Sequence, residues 1–95
     1  MRRFEWDEIK SQINIKKHNI AFIDVVKIFK RVVLQIEDTR QDYGETRMIG
    51  FGYLNERLVI VVFTHREPDI IRIISARKAN TREVLYYEQT IKNKL

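Results

Sequence analysis

Apolar residues recur along this chain with two different periods, and the changes of period divide it into elements. Asp7 can cap a first helix with its side chain, Glu8 lies in the first turn, and Ile9 and Ile13 mark a short apolar stripe. The pattern predicts a helix to about Lys17, closed by Lys16-Lys17-His18, where positive charge suits the helix dipole. Asn19 tolerates a left-handed backbone and separates this helix from a second, whose Phe22, Val25, Val26 and Phe29 follow i, i+3, i+4, i+7 spacing. The two helices form a predicted αα-hairpin.

From Val32 the period becomes two. Val32 to Glu37 reads as a first strand, followed by the polar, turn-rich connection Glu37 to Glu45. Arg47 to Leu54 reads as a second strand, with Gly50 and Gly52 on one face, where missing side chains let another group approach closely. Asn55-Glu56 is a tight turn. Arg57 to Thr64 is a third strand, apolar on both faces and so central, and His65 to Asp69 turns the chain.

Everything then converges on residues 70–83. The β-branched run Ile70-Ile71-Arg72-Ile73-Ile74 reads as a buried fourth strand. Asn80 and Glu83 form a capping box for a last helix carrying Val84, Tyr87 and Ile91 at helical spacing, before a frayed basic tail, Lys92 to Leu95. The expected fold is α+β with element order ααββββα. Two N-terminal helices precede a four-stranded, mainly antiparallel sheet, a C-terminal helix follows it, and the helices cover one face. Residues 1–95 are expected to form a single domain, without repeats or linkers.

Charge changes the picture more than composition does. Lys plus Arg number 18 against 13 for Asp plus Glu, a net +5 that favours polyanionic partners. Many small basic proteins bind no nucleic acid, so charge alone leaves the question even. With no cysteine, a disulfide framework and a Cys-based zinc site are excluded. His18 and His65 lie far apart, so neither a metal nor another cofactor is expected. No apolar run approaches the length of a membrane span, and the N-terminus turns acidic where a signal peptide would be apolar; a cytoplasmic protein is expected.

Nothing resembles a Ser-His-Asp order, a Gly-rich phosphate loop or a paired-carboxylate site. What remains is a basic constellation, Lys16, Lys17, His18, Arg47, Arg72 and Arg77, with Tyr43, Thr64, Ser75, Tyr86 and Tyr87 as polar neighbours. RNA cleavage without a metal asks for a base at the ribose 2′-hydroxyl, cations around the phosphorane and an acid at the leaving 5′-oxygen. His18 has the intrinsic pKa for either proton role. Each residue also has a plainer use. Lys16 and Lys17 compensate a helix dipole, His18 can cap a carbonyl, Arg47 can pair with Glu45 or Asp42, and Trp6 suits the core. Of the adjacent Tyr86 and Tyr87 at most one faces the core. Arg72 and Arg77, five apart, would fall on opposite faces of a straight strand, and share a site only if Arg77 lies at or beyond the strand end.

Phe4-x-Trp6-Asp7, Asn14-x-x-Lys17-His18, Asp42-Tyr43-Gly44-Glu45-x-Arg47 and above all Ile71-Arg72-Ile73-Ile74-Ser75-Ala76-Arg77-x-Ala79 resemble the BrnT family of type II toxins, over about Phe4 to Glu88. The resemblance implies a RelE-like fold, a metal-independent endoribonuclease that blocks translation, and neutralisation by a BrnA-type ribbon-helix-helix antitoxin. Operator DNA would be reached only through that antitoxin, and a dimer of toxin–antitoxin pairs is one assembly it allows. The family pattern places basic groups at Lys17, His18, Arg47, Arg72 and Arg77, which are expected to be the catalytic set; Lys16, Lys78, Arg82 and Tyr43 are expected as further RNA contacts. Two departures stand out. Asn19 and Ala21-Phe22-Ile23-Asp24 replace the family's Gly and Ser-x-x-Glu box, and His65 stands where an acid often follows Thr64. Two rivals share these features: a non-catalytic nucleic-acid-binding module, and an inactive toxin homologue kept as an antitoxin partner.

Overall fold

The computed structural model describes residues 2–31 and 34–94. In chain order these form β1 (Arg3–Glu5), α1 (Glu8–His18), α2 (Phe22–Val25), a 3₁₀ helix (Val26–Lys30), β2 (Leu34–Asp38), β3 (Arg47–Leu54), β4 (Arg57–Arg66), β5 (Ile70–Lys78) and α3 (Thr81–Lys94). The sheet has five strands in the order β1-β5-β4-β3-β2, mixed because β1 runs parallel to β5 while the other neighbours are antiparallel. The four-stranded ααββββα layout is therefore corrected by one strand. At three residues, β1 is too short to show a period.

The helices cover both faces, not one. On the first face α1, α2 and the 3₁₀ helix bury Phe22, Val25, Ile28 and Phe29 against Val59, Val61, Phe63, Ile71, Ile73 and Ala76. Phe29 bridges this cluster, with its ring 5.3 Å from Phe4 and 5.0 Å from Phe63. Trp6 packs half-buried at its margin and donates from Nε1 to Glu8. On the second face α3 lays Val84, Tyr87 and Ile91 over Leu34, Phe51, Leu58 and Ile60. β4, buried on both faces, is central as its sequence requires.

Local chemistry explains most boundaries. Asp7 accepts from Ile9 N and Lys10 N, and Asn19 ends α1 at φ 58°. Asn55 and Glu56, at φ 50° and 69°, form the primed turn that a two-residue hairpin favours. Glu83 N bonds Asn80 Oδ1 at 2.9 Å and Asn80 N bonds Glu83 Oε1 at 2.9 Å, which is the capping box.

Four expectations shift. The second helix has one α turn and then tightens, and its buried residues Phe22, Val25 and Ile28 are three apart, the 3₁₀ period. The stripe Ile9 and Ile13 faces outward, 72% and 47% exposed, while α1 buries Ser11 and Asn14. Their hydrogen bonds set the orientation: Phe22 N donates to Ser11 Oγ, supplying from a distance the cap that Ala21 lacks, and Asn14 Nδ2 donates to Ile20 O. His65 lies within β4, paired with Ile71, rather than in a loop. Lys92 to Lys94 belong to α3, not to a frayed tail. Val32 and Val33, placed in the first strand, lie outside the described residues, as does Leu95.

Candidate active site

The decisive local feature lies in β5. Val62 pairs with Ser75 but Phe63 pairs with Ile73, so Ile74 has no partner and forms a bulge. One extra residue shifts the alternation, which places Arg72 and Arg77 on the same face, the α3 face. Arg77 stands inside the strand, opposite Ile60, so the bulge supplies the phase shift that the sequence reading had sought at the strand end.

On that face the pairings build successive rows. Leu34, Phe51, Ile60 and Arg77 lie under the start of α3; next come Ile36, Ile49, Val62 and Ser75. Beyond them is a polar row in which Asp38 pairs with Arg47, Thr64 with Arg72, and Arg72 with Glu5. Arg72 Nη1 donates to Glu5 Oε2 at 2.7 Å. The Arg47 guanidinium lies 4.1 Å from the centre of the Tyr43 ring, and its buried Nε has no hydrogen-bond partner among the described residues, with Glu45 at 3.9 Å.

Between α3 and the polar row lies a cleft of about 360 Å³ with an apolar floor, Ile36, Ile49 and Val62, walled by Tyr86 and rimmed by Arg40 and Arg77. Both arginines are held by carboxylates. Arg77 donates from Nη1 and Nη2 to the two oxygens of Glu83, each at 2.8 Å. Arg40 donates from Nε and Nη2 to the two oxygens of Asp38, also at 2.8 Å, and Tyr43 Oη adds a third bond at 3.0 Å. The Arg40 fork, helped by the Tyr43 hydroxyl, holds the Asp38 carboxyl well below the usual carboxylate range despite its burial. Arg77 likewise holds Glu83 down and is itself pushed up by it.

A second cleft of about 190 Å³ opens where α1 meets β5, lined by Lys10, Lys17, His18, Ile74 and Ser75 among others. β1 covers β5 only from Ile70 to Arg72, so the strand has an open edge beyond; Asn14 Oδ1 there accepts from Ala76 N at 3.2 Å. Ser75 lines both clefts. The structure thus brings Lys17 and His18 to one side of the bulge and Arg77 to the other. Arg72 and Arg47 stand in the adjoining polar row, with Tyr43 beneath Arg47.

It does not gather the remaining residues. Lys16 is exposed in the last turn of α1 and lines neither cleft. Lys78 pairs with Val59, which puts its side chain on the face opposite Arg77. Arg82 is exposed in the first turn of α3 and lines neither cleft. Arg40 was missed by the sequence reading; the signal was Asp38, a carboxylate on the apolar face of a strand two residues before an arginine. Of the tyrosine pair, Tyr87 faces the core, its ring 6.0 Å from Phe51 and its pKa raised by burial, while Tyr86 is the exposed one. Among the described residues no group of three or more His, Asp or Glu side chains could hold a metal, and no helix is long and apolar enough to cross a membrane.

A family model described as the ribonuclease toxin BrnT of type II toxin-antitoxin systems matches residues 6–83. The chain belongs to the BrnT family. It is similar to the Brucella abortus ribonuclease toxin BrnT, known from a 1.1 Å crystal structure, with 27% identity and a TM-score of 0.64 over 85% of this chain and 100% of that one. A comparison with curated protein sequences finds none that matches. Membership makes this chain a ribonuclease toxin of a type II system, which implies an antitoxin partner. The match begins just after β1 and ends at Glu83 of the α3 capping box, and so includes the bulge, the cleft beside α1 and the cleft under α3 except for Tyr86.

Proposed function

We propose that this BrnT toxin is a metal-independent endoribonuclease that cleaves RNA beside the Ile74 bulge, at Ser75, and thereby blocks translation in the cytoplasm. The observation that carries the reading is that Ser75 lines both clefts, so a phosphodiester at the open edge of β5 meets Lys17 and His18 from α1 and Arg77 from the sheet.

In this reading a base, assigned to His18, takes the proton of the ribose 2′-hydroxyl as O2′ bonds to phosphorus. The bond from phosphorus to O5′ breaks, and an acid returns a proton to the leaving oxygen. Arg72 and Arg77 stabilise the added phosphorane charge, and Lys17 and Arg47 assist. The buried, unpartnered Nε of Arg47 supports a polar ligand beside the polar row, since such a donor is otherwise left unmet. Lys16, Lys78 and Arg82 serve the longer RNA strand electrostatically.

The antitoxin is assigned to the BrnA ribbon-helix-helix type, bringing an acidic element to the basic site and reaching operator DNA itself, with a dimer of toxin–antitoxin pairs as the assembly. The test is end-group analysis of RNA incubated with purified toxin and excess chelator. Fragments ending in 2′,3′-cyclic phosphate and beginning with 5′-hydroxyl are expected. Intact RNA, or cleavage that returns only with added metal, contradicts the reading.

A further inference from the structure

Away from its Ser75 edge, the cleft under α3 is built unlike a phosphate site. Its two guanidinium groups are already matched by carboxylates, Arg40 by Asp38 and Arg77 by Glu83, so it offers directed donors with little net charge. Its floor is apolar and its wall is the exposed Tyr86. Little net charge, a flat apolar surface and an aromatic neighbour suit a nucleobase better than a phosphate. At about 360 Å³ the cleft is at the small end of the roughly 300–1,000 Å³ typical of ligand sites.

The donor geometry narrows the base. Asp38 occupies the Nε and Nη2 side of Arg40, which leaves the outer edge formed by Nη1 and the second hydrogen of Nη2. That edge presents two parallel N–H groups. Guanine offers two adjacent acceptors, O6 and N7, on its Hoogsteen edge, whereas adenine sets a donor beside N7 and uracil has no such pair. Cytosine's adjacent N3 and O2 belong to a single ring, which covers less of the apolar floor and the Tyr86 wall than a purine does. Asp38, buried and bonded also to Tyr43, fixes the guanidinium in the plane the base must share.

We propose that this cleft is a guanine-reading subsite, with Arg40 as the specificity residue, for a nucleotide flanking the scissile bond. The proposal rests on the ribonuclease reading above for its location but not for its chemistry, and the two are separable by experiment.

The measurement is binding of short RNAs in which one 2′-deoxynucleotide blocks cleavage and the bases on either side of the blocked linkage are varied. Fluorescence anisotropy of the wild-type toxin is expected to give roughly 5- to 100-fold tighter binding for guanine than for adenine, cytosine or uracil. Substituting 7-deazaguanine removes the N7 acceptor without touching the protein, and is expected to bring affinity to the adenine level. Arg40→Lys keeps the charge opposite Asp38 but loses the paired donors, and is expected to do the same. Affinity independent of the base, or a guanine preference that survives both changes, overturns the subsite. Cleavage of the matching all-ribose RNAs separates the two readings: cleavage without guanine selectivity removes the subsite alone, and guanine-selective binding without cleavage removes the nuclease reading alone.

Discussion

Arg72 and Arg77, five positions apart on β5, face the same side of the sheet because Ile74 between them has no partner on β4. A regular strand would set them on opposite sides. The bulge also turns Ile74 and Ser75 towards the last turn of α1, where Lys17 and His18 lie. One unpaired residue therefore does two things, aligning the arginines and joining the clefts.

Deleting Ile74 separates these effects. Arg72 and the shifted Arg77 would then be four apart and would stay on one face, so the sheet and both arginine–glutamate pairs are expected to survive. The junction at Ser75 is expected to close, lowering cleavage by roughly 100-fold, as small displacements of reacting groups do. Circular dichroism and RNA cleavage measure the two outcomes; unchanged cleavage contradicts a role for the bulge.

Acid should weaken the fold through the carboxylates that hold the cleft. Asp38 and Glu83 both have lowered pKa values, so each binds protons less readily folded than unfolded. Their contribution is full above the unfolded carboxylate pKa of about 4 and is lost as pH falls through the lowered folded values. Thermal midpoints are expected to hold steady from neutral pH to about pH 5 and to drop below about pH 4, less steeply in Asp38→Asn. Parallel curves for the two proteins would show that Asp38 carries none of this dependence.

Helix α1 is held by hydrogen bonds, not by an apolar stripe. Ser11→Ala orphans the buried Phe22 N–H, and Asn14→Ala orphans Ala76 N–H and Ile20 C=O. Each is expected to cost about 1–3 kcal/mol in denaturant unfolding. Ile9→Ala, at an exposed site, is expected to stay within about 0.5 kcal/mol. A loss at Ile9 above those at Ser11 and Asn14 would restore the stripe.

These contrasts mark where the sequence was legible. Strand β3, the β3–β4 turn, the Asp7 cap, the left-handed Asn19 and the Asn80/Glu83 box depend on residues close in the chain, and each appears where local chemistry puts it. Strand β1, the outward turn of Ile9 and Ile13, and the placement of helices on both faces depend on partners distant in sequence, so periodicity could not show them. The site divides the same way. Arginine positions were legible from composition and motif, whereas the bulge that aligns them needs the register of two strands. Arg40 needs the burial of Asp38. Their residue types and the family resemblance both drew attention to Lys17 and His18, and the tertiary fold puts them beside Ser75.

Arg77 should not be replaceable by lysine. Its two outer nitrogens bind Glu83 as a fork, leaving Nε for a ligand, and a single ammonium cannot serve both. Arg77→Lys is expected to lower cleavage by roughly 10- to 1,000-fold, in the range seen when one preorganised donor is lost, with the thermal midpoint little changed. Full activity in the lysine variant would reduce Arg77 to a structural ion pair.

The most direct test of a single cleaving site around the bulge is the RNase activity of the folded Arg72→Ala/Arg77→Ala double variant in chelator, beside the wild-type toxin. Loss of cleavage with the circular dichroism spectrum retained is the expected result. Cleavage at the wild-type rate would contradict it, because the catalytic groups would then lie elsewhere on the molecule.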